Sequence, residues 1–150
     1  MKRNYLDFRE KGAASVTMGL IALLTGLAAL LLFLGTAEAE FTRQMIDTYH
    51  QDLRVIFALV AGLFFSGIAL VFDGKLLKYL AFLTNLFALL NFVVFEIDYL
   101  GSLFSSIDPT PVTAAFVALL ALLGATVLTS LASAILTKER LSQAEGGIRA

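Results

Sequence analysis

AASVTMGLIALLTGLAALLLFL, residues 13–34, contains no charged side chain. At a helical rise of about 1.5 Å per residue, a run of this length crosses a hydrocarbon core roughly 30 Å thick. Residues 53–72, 76–95 and 112–136 are three further runs of similar length. Their only full charges are Arg54, near the start of the second run, and Lys78, near the start of the third. The expectation is an all-α integral membrane four-helix bundle, up-down-up-down, forming a single domain over residues 1–150. The first run invites a second reading as a secretory leader, because Ala37-Glu38-Ala39 has the small-x-small pattern of a cleavage site and Lys2 and Arg3 precede the run. A leader's apolar region is about 7–15 residues long, so residues 13–34 read as a retained helix.

Composition narrows what such a bundle can do. Hydrophobic residues make up 59% and charged residues 15%, against about half and a quarter in soluble domains. The polar remainder is an arm (1–12), an outer segment (35–52), an inner turn (73–75), a second outer segment (96–111) and a tail (137–150). Each is far below the roughly 40 residues needed for an independent core. With no cysteine there is no disulfide framework, thiolate metal site or thiol redox couple. His50 is the single histidine, which within one chain is too few for a zinc site or a pair of axial haem ligands. No glycine-rich phosphate loop or nucleophile elbow is present. The expectation is therefore a non-enzymatic protein without metal or cofactor. No basic patch suits nucleic acid, and the lipid bilayer is the first partner.

Charge sets the expected orientation. Lys2, Arg3, Arg9, Lys11, Lys75, Lys78, Lys138, Arg140 and Arg149 fall on one side of the four runs, and Arg43 and Arg54 on the other. Acids are biased the opposite way, with Glu38, Glu40, Asp47, Asp52, Glu96, Asp98 and Asp108 on the Arg-poor side. Because basic loops are retained in the cytoplasm on insertion, both termini and the 73–75 turn are expected there, in a plasma (inner) membrane. Tyr5 and Tyr79 then mark the inner boundary and Tyr49 and Tyr99 the outer one, where an amphipathic ring sits best.

The connections carry their own signals. Phe72-Asp73-Gly74-Lys75 is so short that the second and third helices must be antiparallel neighbours, with Gly74 expected as a left-handed helix stop. Asp108-Pro109-Thr110-Pro111 reads as a capped start for the fourth helix. Phe41, Met45, Tyr49 and Leu53 recur every four residues, so the first outer segment either extends the second helix or lies on the membrane surface. Tyr99 to Phe104 is apolar enough to sit at the interface or against a partner.

In lipid the hydrophobic force between helices is weak, and small residues that let backbones approach become the association device. At about 100° per residue, Gly12, Ser15, Gly19, Ala22, Gly26 and Ala29 form one stripe on the first helix. Ala58, Ala61, Gly62 and Ala69 form a second stripe, and Ala81, Thr84, Asn85, Ala88 and Asn91 a third. The fourth comprises Ala114, Ala118, Ala121, Ala125 and Ala132. Two readings share these residues. Either all four stripes close one bundle, or one of them, that of the first helix in particular, faces another protein.

Intramembrane polar groups are the candidates for chemistry, because lipid offers them no hydrogen-bond partner. Asn85 and Asn91 are expected to point into the bundle, either as structural glue or as a polar site together with Ser66. Thr126, Ser130, Ser133 and Thr137 form a hydroxyl stripe on the fourth helix. They either bond back to their own carbonyls or mark a polar inner vestibule or subunit contact. Glu96, Asp98 and Asp108 form an outer acidic cluster that could collect a cation, although such acids are expected to be mostly solvated.

Four spans with a longer first outer segment resemble the topology of tetraspan proteins such as claudins, but the outer tryptophan and paired cysteines of that family are missing here. The functional expectation is an oligomeric or accessory subunit of a membrane complex. The alternative is an oligomeric ion channel or small-solute transporter, with polar residues of the second to fourth helices lining the path.

Overall fold

The computed structural model describes residues 13–36, 53–72, 74–97, 101, 104 and 114–137. Four helices account for nearly all of them: α1 (Ala13–Gly35), α2 (Leu53–Phe72), α3 (Lys75–Phe95) and α4 (Ala114–Ile135). All four are long and apolar enough to cross a membrane, and they match the expected runs to within two residues at each end. The acidic residues Asp98 and Asp108, the glycine Gly12, the segment 38–52 and the Asp108–Pro111 start signal lie outside the described residues.

Each helix packs against two neighbours, α1 against α2 and α4, and α3 against α2 and α4. The four axes therefore sit at the corners of a square with α1 and α3 on one diagonal. Close approaches fix the directions. A methyl placed on Gly19 would stand 3.0 Å from Leu70 Cδ2 and 3.2 Å from Ser133 Oγ. One placed on Gly26 would stand 3.2 Å from Leu63 Cδ2 and 3.3 Å from Thr126 Cγ2. As numbers rise along α1 they fall along α2 and α4, so both neighbours run antiparallel to it. Lys78 meeting Thr137 and Phe92 meeting Phe116 show the same for α3 and α4. The result is up-down-up-down, with the start of α1 and the end of α4 on one side. That side is here called the Lys78 end, and the opposite side the Glu96 end.

The α1 stripe of Ser15, Gly19, Ala22, Gly26 and Ala29 is buried inside the bundle, where its lack of side-chain bulk lets α2 and α4 close in. It does not face outward. The expectation for α4 reverses. Ala114, Ala118 and Ala121 are exposed and Ala125 and Ala132 only half-buried, while Phe116, Leu119, Leu123, Thr126, Ser130 and Ser133 face the core. The alanine and hydroxyl stripes of α4 compete for the interior. The hydroxyls win because a polar group facing lipid gains nothing, whereas alanine is tolerated there.

The two halves of the interior differ. Toward the Glu96 end, Ala29, Phe33, Val55, Ala58, Leu59, Ala88, Phe92, Phe116, Leu119 and Leu123 form a continuous apolar core. Phe92 anchors it, edge-on to Phe33 at 6.0 Å and stacked on Phe116 at 5.8 Å between ring centroids. Toward the Lys78 end the interior combines small residues, Ala22, Ala69 and Ala81, with the buried polar side chains of Ser15, Ser66, Lys78, Ser130 and Ser133. The turn between α2 and α3 departs from expectation in one respect. Gly74 has φ −93° and ψ 119° and serves as the extended N-cap of α3, so it is not a left-handed stop. Its carbonyl accepts the first α3 bond, from the Lys78 N–H at 3.1 Å.

Candidate functional site

Every buried position of α3 lies on one line: Lys78, Ala81, Asn85, Ala88 and Phe92, followed by Glu96 just past the helix. Lys78 and Glu96 are 18 residues apart, which is five turns at 3.6 residues each, so they share a face about 27 Å apart. This face puts a cation near one end of the bundle interior, an amide in the middle and a carboxyl at the other end.

Lys78 is only 4% exposed. Its ammonium crosses the diagonal of the bundle to α1, donating to Ser15 Oγ at 3.0 Å, and also donates to Thr137 Oγ1 at 2.8 Å after α4. Both hydroxyls pass the interaction on. Ser15 Oγ and Thr137 Oγ1 each donate to the Ser133 carbonyl at 2.8 Å, and Ser133 Oγ returns a bond to the Ser15 carbonyl at 2.9 Å. The Ser133 carbonyl lies in the last turn of α4, where carbonyls lack intrahelical N–H partners. Lys78 thus sits, through two hydroxyls, at the negative end of the α4 dipole. Its charge is unfavourable for the N-terminal turn of its own helix and favourable for α4.

Beside this network is a cavity lined by Gly19, Ala22, Ser66, Ala69, Leu70, Lys78, Ala81, Ser130 and Ser133. Its space suits about one water molecule. Of the seven intramembrane polar candidates, Ser66, Ser130 and Ser133 come together here. Ser130 Oγ donates to its own Val127 carbonyl at 2.9 Å. Thr126 stands apart, 2.9 Å from the Thr25 hydroxyl on α1 and 2.7 Å from the Leu122 carbonyl.

The two asparagines separate. Asn85 is buried with its amide oxygen against Gly62 of α2, close enough that a methyl there would lie 2.9 Å from Asn85 Cγ. Its Nδ2 has no hydrogen-bond partner. Asn91 does not point into the bundle. It is half-buried and donates to its own Phe87 carbonyl at 2.7 Å. Six residues at 100° place it about 120° around the helix from Asn85, so one stripe cannot hold both.

Glu96 corrects the picture of a solvated outer acid. It is 1% exposed, it caps α3 with its N–H on the Phe92 carbonyl at 3.0 Å, and its Oε1 has no hydrogen-bond partner. Desolvation raises its carboxyl from 4.5 to about 8. Among the described residues no group of three or more His, Asp or Glu is placed to hold a metal ion.

Sequence reasoning treated Lys78 only as a topological charge and missed its role in the interior. The signal was present, because Lys78 precedes Asn85 by seven residues and so falls on the same α3 face. No family profile matches the chain, and neither curated proteins nor solved structures include a significantly similar one.

Proposed function

We propose that this chain is a non-enzymatic membrane subunit that presents the outward alanine face of α4 to a second copy of itself. The supporting observation is the asymmetry of the surface. Ala114, Ala118 and Ala121 on successive turns of α4 are exposed, flanked by exposed Val117 and Leu120, whereas α2 and α3 expose the bulkier Phe57, Phe64, Leu83 and Phe87 at their lipid-facing positions. Lipid requires only apolarity, but a helix backbone can approach closely only where side chains are small. A two-fold axis against α4 would bring alanine against alanine and allow that approach on both sides.

The cysteine-free chain makes the test direct. Ala121→Cys in native membranes should give an oxidised dimer, and Leu83→Cys, on the exposed face of α3, should not. A strictly monomeric particle in mild detergent, with equal cross-linking at both positions, would overturn the reading.

The transport alternative draws on the small cavity beside Lys78. A route through one protomer would have to pass the packed Phe33, Phe92 and Phe116 rings. Flux into liposomes that is lost in Lys78→Met, with the fold retained, would favour this alternative over the subunit reading.

A further inference from the structure

Glu96 presents a separate problem, unconnected with the α4 surface. A carboxylate in an apolar environment costs several kcal/mol unless it is paired or protonated. Such a partner would have to come from the charged residues of the packed helices. The described part of α1 has no charged residue, nor does α4 from Ala114 to Thr137. On α2 the one charge is Arg54, which is exposed and contributes nothing to the perturbation of Glu96, whose single cause is burial. On α3 itself the other charges, Lys75 and Lys78, lie at the opposite end. Beneath Glu96 is Phe92, one turn earlier and fully buried between Phe33 and Phe116. The N-termini of α2 and α4 share this end, yet Glu96 Oε1 accepts no bond from them.

We propose that Glu96 is a proton-binding site: a carboxyl that is held protonated at the apolar end of the bundle, exchanges its proton with the medium at that end alone, and is open to apolar carboxyl reagents. The apolar core between Glu96 and the Lys78 cavity denies the proton a route across the protomer. Glu96 therefore reports conditions on one side of the membrane.

The chemistry gives a selective probe. A carbodiimide takes up a protonated carboxyl by addition across one C=N bond. The acid proton goes to nitrogen, the carboxyl oxygen bonds to the central carbon, and nothing leaves. Acyl migration from oxygen to the neighbouring nitrogen then yields a stable N-acylurea of the same mass. The full chain in membranes would be treated with N,N′-dicyclohexylcarbodiimide, or with a water-soluble carbodiimide, and mapped by mass spectrometry.

The expected result is an adduct on Glu96 with the apolar reagent and at least tenfold less with the soluble one. Labelling of Glu96 should fall at least tenfold between pH 6 and pH 10. Infrared difference spectra of the unlabelled protein give a second readout. The carbonyl band of a protonated carboxyl should disappear over the same pH range in the wild type and be missing in Glu96→Gln. Labelling of Glu96 by the soluble reagent alone, or a wild-type protonated-carboxyl band that is absent at pH 6, would overturn the proposal.

Discussion

Gly62→Ala is the sharpest perturbation of this bundle, because its effect can be separated from the general effect of replacing a helical glycine. The new methyl would collide with the Asn85 amide oxygen and stand 2.9 Å from Asn85 Cγ, with Thr84 Oγ1 at 3.5 Å on the other side. Asn85 is buried and carries a short side chain, so it cannot swing clear into lipid. Relief requires the buried Asn85 side chain or the α2–α3 spacing to shift, and overpacking of this kind costs about 1–3 kcal/mol. Gly67 is in the same helix, five residues on, and a methyl there meets nothing within 4 Å. Any gain in intrinsic helix preference, up to about 1 kcal/mol, is common to both substitutions and cancels in the comparison. Gly62→Ala should therefore be about 1–3 kcal/mol less stable than Gly67→Ala, measured by reversible unfolding in mixed detergent micelles. Asn85→Ala added to Gly62→Ala should restore part of the loss, since it removes the colliding amide together with a buried donor that has no partner. Equal stabilities for the two alanine variants, within about 0.5 kcal/mol, would refute the interlock of α2 and α3 at this point.

Four further outcomes follow from the same geometry. Lys78→Met should change stability by less than about 1.5 kcal/mol, because the hydroxyls of Ser15 and Thr137 keep their carbonyl acceptors while a costly buried charge is removed. The double change Ser15→Ala/Thr137→Val, which keeps the ammonium and removes two of its acceptors, should cost about 1.5–3 kcal/mol for each bond lost in the same unfolding assay. Phe92→Ala should destabilise by about 3–5 kcal/mol, since it opens a cavity between two packed rings. Thermal melting in detergent should also depend on pH through Glu96. Its folded value lies above the ordinary one, so its contribution is fully present below about pH 4.5 and is lost as pH rises through about 8. Melting temperature should fall over that window in the wild type, and the slope should flatten in Glu96→Gln.

Much of the architecture was legible from the chain alone, and the parts that were not fail for identifiable reasons. The four spans and their alternation follow from length and apolarity, because hydrocarbon tolerates little else than a fully bonded helix of about 20 residues. The small-residue stripe of α1 was readable as a packing face, but whether it faced inward or toward another protein was not. The same spacing serves both uses. Asn91 lies about 120° around α3 from Asn85, which puts it outside the small-residue stripe. For α4, periodicity identified two competing faces and could not rank them.

The amino-acid order by itself settled that this is a chain of four membrane-length helices with no cysteine and one histidine, because those properties belong to residues one at a time or to near neighbours on one helix. Only the tertiary structure decided that Lys78, Ser15, Ser133 and Thr137 share one network, that Asn85 seats against Gly62, and that Glu96 is shut away from water. Each of those facts depends on how helices far apart in sequence are turned toward one another. That rotation is set by the joint packing of all four helices, and no single stretch of sequence contains it.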